Sequence, residues 1–79
     1  MFYVYVIQST ANGTLYTGQT SNLRNRLKSH NLGGSRYTKN RGPWKLLHAE
    51  EYSTRSEAMK REKYLKTGKG REFINSLSQ

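Results

Sequence analysis

The sequence predicts an α/β (α+β) domain of three strands and about three helices. Three observations predict it. Residues 1–23 carry no charged side chain, and two β-rich runs inside them flank an Asn-Gly pair. A third run, Trp44 to Tyr52 (WKLLHAEEY), reads as a further strand. Between and after these runs lie segments with apolar residues at helical spacing, opened by residues suited to capping.

Phe2 to Gln8 (FYVYVIQ) is rich in β-branched and aromatic residues. It reads as a strand with both faces largely covered. Ala11-Asn12-Gly13 supplies a turn, and Thr14 to Gln19 (TLYTGQ) is the return strand of a hairpin. Gly18 inside that strand marks either a bulge or the close approach of another backbone or a ligand. Ser21 or Asn22 caps a helix running to about His30, with Leu23, Arg26, Leu27 and His30 on one face. Residues 31–43 form a Gly-rich, basic loop of 13 residues, long enough to suggest a binding loop. Trp44 to Tyr52 is the third strand. Thr54-Arg55-Ser56-Glu57 has the pattern of a capping box and opens a second helix. That helix ends near Lys66, with Gly68 as its stop. Lys69 to Leu77 forms a short last helix with Phe73, Ile74 and Leu77 on one face.

Composition narrows the chemistry. The 79 residues hold 14 Lys and Arg against 5 acids, a formal net charge of +9. All the acids are glutamates, and Asp and Cys are absent. That excludes a disulfide framework, a Cys-based zinc finger, a thiol nucleophile and a Ser-His-Asp triad. Sites holding two metals need several convergent carboxylates, whereas one Mg²⁺ held by a single carboxylate and substrate phosphates stays open. Leu, Ile, Val and Phe together number only 14 of 79, a composition shared with disordered chains. Six Tyr and one Trp offset it by the area each buries. One domain over residues 1–79 is expected. No apolar run is long enough to span a bilayer, and no secretory signal pattern opens the chain, so the expected location is cytoplasmic.

All basic residues lie between Arg24 and Arg71. Such a surface is either an ordinary solvated face or a binding face for phosphate backbones, and in so small and basic a chain nucleic acid is favoured. Arg24, Lys28, Arg36, Lys39, Arg41, Lys66 and Lys69 are the expected contacts. Three polar residues sit on helix faces meant for the core. Glu62 shares a stripe with Ala58 and Leu65, whereas Glu50, Glu51, Glu57 and Glu72 read as cap or surface charges. Glu62 is either an edge carboxylate paired with a neighbouring Lys or Arg, or a metal ligand. Arg26 and His30 either snorkel and pack, or form a phosphate-facing cation and imidazole. Tyr5 and Tyr16 are either sheet filler or acid–base groups, and the second role needs a pKa lowered by nearby cations.

These residues stand in an order that resembles the GIY-YIG domain of small nucleases. The first signature's place is taken by Tyr3-Val4-Tyr5 and the second's by Tyr16-Thr17-Gly18. Arg26 lies ten residues after Tyr16, and His30 four residues later. Glu57 through Lys66 matches the segment carrying the family's metal-binding Glu, which here is Glu62. Lys66 through Ile74 is similar to small stand-alone members, which resemble the N-terminal domain of excision-repair nucleases. Tyr3, Val4 and Thr17 depart from the signature letters and leave both tyrosines in place. Asn75 is not assigned to the late Asn of some members.

The resemblance implies a three-stranded antiparallel sheet flanked by helices. It also implies an endonuclease that uses one divalent ion, Mg²⁺ or Mn²⁺, on Glu62. Tyr5 would be the general base, directly or through a neighbour, and Tyr16 would orient water or phosphate. Arg26 would stabilise phosphate charge, and His30 would assist proton transfer or hold the tyrosine. The expected substrate is DNA, recognised by structure rather than sequence, in repair or recombination. No membrane is involved, and the chain is a monomer or weak dimer. Two alternatives remain open here. One is a non-catalytic nucleic-acid-binding module using Arg36, Lys39 and Arg41 with Tyr37 and Trp44 as stacking surfaces, although core packing suits Trp44 better. The other is a nuclease subunit that needs a partner.

Overall fold

A computed structural model describes residues 1–33 and 42–77. Arg36, Tyr37, Lys39 and Arg41 lie outside the described residues. The elements are β1 (Phe2–Ser9), β2 (Leu15–Thr20), α1 (Leu23–Asn31), β3 (Trp44–Tyr52), α2 (Arg55–Leu65) and α3 (Gly68–Leu77). β1 is the central strand of an antiparallel sheet in the order β2-β1-β3.

The period-2 alternation of β1 splits the core in two. Val4 and Val6 face Ala58 and Leu65 of α2 and Ile74 of α3, with Leu15 and Leu47 against them. Tyr5 and Ile7 face the other way, against Trp44, Tyr16 and the α1 residues Leu23 and Leu27. The central strand is therefore covered on both sides, which explains its near-continuous apolar sequence.

Local chemistry sets the joints. Ser9 Oγ accepts from the Ala11 and Asn12 amides, and Gly13 turns the chain with φ of +78°. Asn22 Oδ1 caps α1 by accepting from Asn25 N at 3.1 Å. Thr54 Oγ1 does the same for α2 at Glu57 N, while its own hydroxyl donates to Glu57 Oε1. Gly68 does not stop α2, as expected, but is the first residue of α3. Thr67 makes the joint: its hydroxyl donates to Tyr64 O and accepts from Gly70 N. Gly70 lies so close to the Tyr64 carbonyl and the Leu65 backbone that any Cβ there would overlap them.

The β1–β2 register is unbroken from Tyr3↔Thr20 to Gln8↔Leu15, so Gly18 is not a bulge. The irregularity lies in β3, where the partners step from Val6↔His48 to Ile7↔Leu46. The extra residue, Leu47, packs on the α2–α3 side, where His48 meets Phe73 edge-on.

The same face corrects the reading of the glutamates. Glu50 is not a surface or capping charge. Its carboxylate is only 17% exposed and accepts from Arg61 Nε at 2.8 Å and Arg61 Nη2 at 3.0 Å. The Tyr52 hydroxyl (2.6 Å) and His48 Nε2 (2.8 Å) complete the shell. Burial works against the charge, but the bonds from Arg61, Tyr52 and His48 outweigh it and hold the pKa at about 2. This network ties β3 to α2.

Candidate active site

Tyr5 projects from the middle of the central strand and is 1% exposed. Its hydroxyl lies 2.8 Å from Nε2 of His30, which is equally buried and comes from the last turn of α1. One turn earlier, Arg26 bonds to the Tyr5 hydroxyl and more weakly to Tyr16, and these interactions raise its own pKa. Tyr16, on the neighbouring strand, closes the group. Its ring centroid is 6.3 Å from that of Tyr5 and 5.1 Å, edge-on, from that of His30.

Two features outside the cluster hold it. A Cβ on Gly18, the register partner of Tyr5, would sit 2.7 Å from the Tyr5 hydroxyl oxygen and 3.1 Å from Tyr16 Cε1. What approaches Gly18 is neither another backbone nor a ligand but the Tyr5 side chain, and only glycine leaves room for it. Asn31 fastens the end of α1 to the start of β3, accepting from Trp44 N at 2.6 Å and donating to Trp44 O at 3.1 Å. No pattern in the sequence marks Asn31, because its partner is a backbone 13 residues away.

Proton positions follow from the charges. Burial, reinforced by the Arg26 cation, lowers the pKa of His30, so the imidazole is neutral near pH 7. Arg26 can only donate. With Nε2 as the unprotonated nitrogen of the neutral imidazole, the Tyr5 proton points to it, and the Tyr5 oxygen is left to accept from Arg26. The expectation that cations lower the tyrosine pKa is reversed for Tyr5 in the free protein. Desolvation raises it, and the Arg26 bond only partly compensates.

Glu62 stands apart from this hydrogen-bonded group. Its side chain is 22% exposed and accepts from Lys66 Nζ at 2.7 Å, one helical turn on. The edge-of-stripe pairing weighed from the sequence is thus realised. Its charge still reaches the cluster, being one of the influences that raise the Tyr5 pKa. Among the described residues, no group of three or more His, Asp or Glu could hold a metal. The donor set fits one hard cation bound through the Glu62 carboxylate, with water and phosphate oxygens as its other ligands. Mg²⁺ is commonly held in this way.

Arg24, Lys28, Lys66 and Lys69 are exposed. Trp44 is 4% exposed and packs in the core beside Tyr5 and Ile7, so it offers no stacking surface. Asn75 lies on α3 at the wall of a groove that also borders Tyr16. No described helix is long and apolar enough to cross a membrane.

The chain is similar to known proteins. A family model of the GIY-YIG catalytic domain matches residues 1–75. The chain is 46% identical over 67 residues to a UPF0213 protein of Clostridium perfringens, covering 84% of this chain and 71% of that one. A UPF0213 protein of Halobacterium salinarum is 45% identical over 67 residues, covering 84% and 86%. The solution NMR structure of a UPF0213 protein from Bacillus halodurans aligns with a TM-score of 0.57 and 34% identity. It covers 98% of this chain and 85% of that chain.

Proposed function

Since the chain belongs to the GIY-YIG family, we propose that it is a divalent-metal-dependent endonuclease. It hydrolyses phosphodiester bonds in DNA, selects structure rather than sequence, and serves repair or recombination in the cytoplasm as a monomer or weak dimer. The observation that carries this reading is the buried Tyr5–His30 bond with the Arg26 cation beside it. A phenol aimed at a neutral imidazole can pass on a proton, and a guanidinium can hold the charge of the reacting phosphate.

The Tyr5 hydroxyl is closed off from solvent by its neighbours. A phosphate competes well for a guanidinium against a neutral phenol, because both its charge and its paired oxygens match the fork. Substrate therefore draws Arg26 outward and opens the Tyr5 oxygen to water. The attacking water gives its proton to Tyr5 as Tyr5 gives its own to His30 Nε2. This relay never needs a free phenolate, so the raised Tyr5 pKa is no obstacle. Tyr16 orients the water or the phosphate. The divalent ion, Mg²⁺ or Mn²⁺, would be held by Glu62 and would supply Lewis-acid stabilisation of phosphate charge. Arg24, Lys28, Lys66 and Lys69, with Arg36, Lys39 and Arg41 of the loop, hold the strand by its phosphates.

The test is cleavage of supercoiled plasmid and branched DNA with Mg²⁺ and with EDTA, for wild type, Tyr5→Phe and Glu62→Gln. Cutting that needs the metal and is lost in both variants is expected. No cutting, or equal cutting by all three proteins, sinks the reading. The Lys66–Glu62 ion pair favours one alternative, a binding module in which Glu62 is structural. Salt-sensitive DNA binding, unchanged in Glu62→Gln and without cleavage, is its signature.

A further inference from the structure

A groove of about 580 Å³ lies between edge strand β2 and the α2–α3 joint. Half-buried Leu15 supplies its accessible apolar wall, with the buried Leu65 and Ile74 behind it, and Lys66 and Arg71 stand at it as exposed cations. No acidic side chain lines it among the described residues. It adjoins the candidate active site around the edge of β2, through two shared residues. Tyr16 lines the groove and also packs against His30, while Lys66 lines it and also holds Glu62.

We propose that this groove is a subsite for one unpaired nucleotide of the strand that enters the active site. The inference deepens the nuclease reading and rests on it for the identity of the polymer. Aliphatic walls take the flat face of a base, and the paired cations take the flanking phosphate. The volume is that of a small-ligand site, so it suits a single nucleotide and not a duplex. Because β2 is an edge strand, a chain lying across its edge reaches the Tyr16 side and the groove side together. Arg71, which the signatures do not mark, becomes a strand-positioning residue. A preference for substrates with unpaired ends or flaps follows from the fold without a second domain.

The experiment is an amide NMR titration of the full chain at low salt, without metal, so that nothing is cut. The probes are tetranucleotides of deoxythymidine and of uridine, with hexaglutamate as a polyanion control. Shifts at Leu15, Thr17, Lys66, Arg71 and Ile74 with either oligonucleotide are expected, and the tighter of the two identifies the sugar. Arg71→Ala is expected to weaken binding about fivefold, and Arg71→Lys less. Arg71 is an exposed helical residue, and each variant's own spectrum reports its fold. Three results overturn the subsite: no shifts with either oligonucleotide, shifts confined to α1, or equal shifts with hexaglutamate, which would mark a site for acidic protein. The plasmid assay keeps the two readings apart. Cleavage with an unperturbed groove removes the subsite alone, and a perturbed groove without cleavage removes the nuclease alone.

Discussion

Burial and the Arg26 cation pull the Tyr5 hydroxyl in opposite directions, and burial wins. At rest the Tyr5 proton therefore stays on oxygen and His30 is neutral, the state that the proposed relay requires. The His30 pKa lies below its ordinary 6.5 because desolvation and Arg26 both oppose its charge. Protonated His30 has no lone pair at Nε2 to receive the Tyr5 proton. The acid limb of the cleavage rate is therefore expected below pH 6.5, with full rate above it. A pH–rate profile on one branched substrate checks this, and a limb above pH 7 rejects the relay. Gly18 offers a test that leaves every polar group in place. Gly18→Ala needs no unusual φ, but its Cβ must displace the Tyr5 hydroxyl. Cleavage is expected to fall at least about tenfold, while stability falls by only about 1–3 kcal/mol. Equal activity would mean that the Tyr5 position is not critical. At this scale the sequence was informative where side chains meet side chains along one element. Arg26 and His30 are a turn apart on α1, and their misplaced polarity shows in the spacing. Asn31 was not legible, because it acts on a backbone 13 residues on that only the fold brings near.

Pattern carries further for elements than for their registers. The run from Trp44 to Tyr52 was legible as a strand to the residue, since Pro43 precedes it and Ser53 and Thr54 begin the next cap. The bulge at Leu47 was not, because it exists only as a mismatch with β1. It shifts the parity of β3: in an unbroken strand Glu50, six residues on, would share the face of Trp44, whereas here it stands with His48 and Tyr52 on the α2–α3 face, against Arg61. A carboxylate held at about 2 contributes stability above its unfolded pKa near 4.5, and the contribution drains as pH falls from there towards 2. Urea unfolding between pH 7 and pH 2.5 is expected to show wild type losing about 2 kcal/mol over that window. Glu50→Gln is expected to be less stable at pH 7 and nearly flat below pH 4.5. A wild-type curve as flat as the variant's would show that Arg61 and Tyr52 do not hold the charge.

The whole molecule carries a net charge of +9 on 79 residues, all of its cations outside the first 23. Like charges crowded on so small a body repel, which opposes the compact state. The same charge draws a polyanion and releases its counterions. Salt must then act with opposite signs on fold and function. Screening shortens the reach of the repulsion from about 30 Å at 0.01 M to about 8 Å at 0.15 M, so the melting temperature is expected to rise with salt. Binding is expected to weaken over the same range. With about five phosphates neutralised on a single strand, the slope of log K against log salt is about −3.5, a loss on the order of a hundredfold between 50 and 200 mM. Thermal unfolding and fluorescence anisotropy on one protein preparation, across one salt series, measure both. If the two move together, or if binding ignores salt, the basic surface is solvation alone and the phosphate-holding residues lose their assignment. If they diverge as expected, the shortage of acids that makes the free chain marginal is also what lets a single small domain grip its substrate.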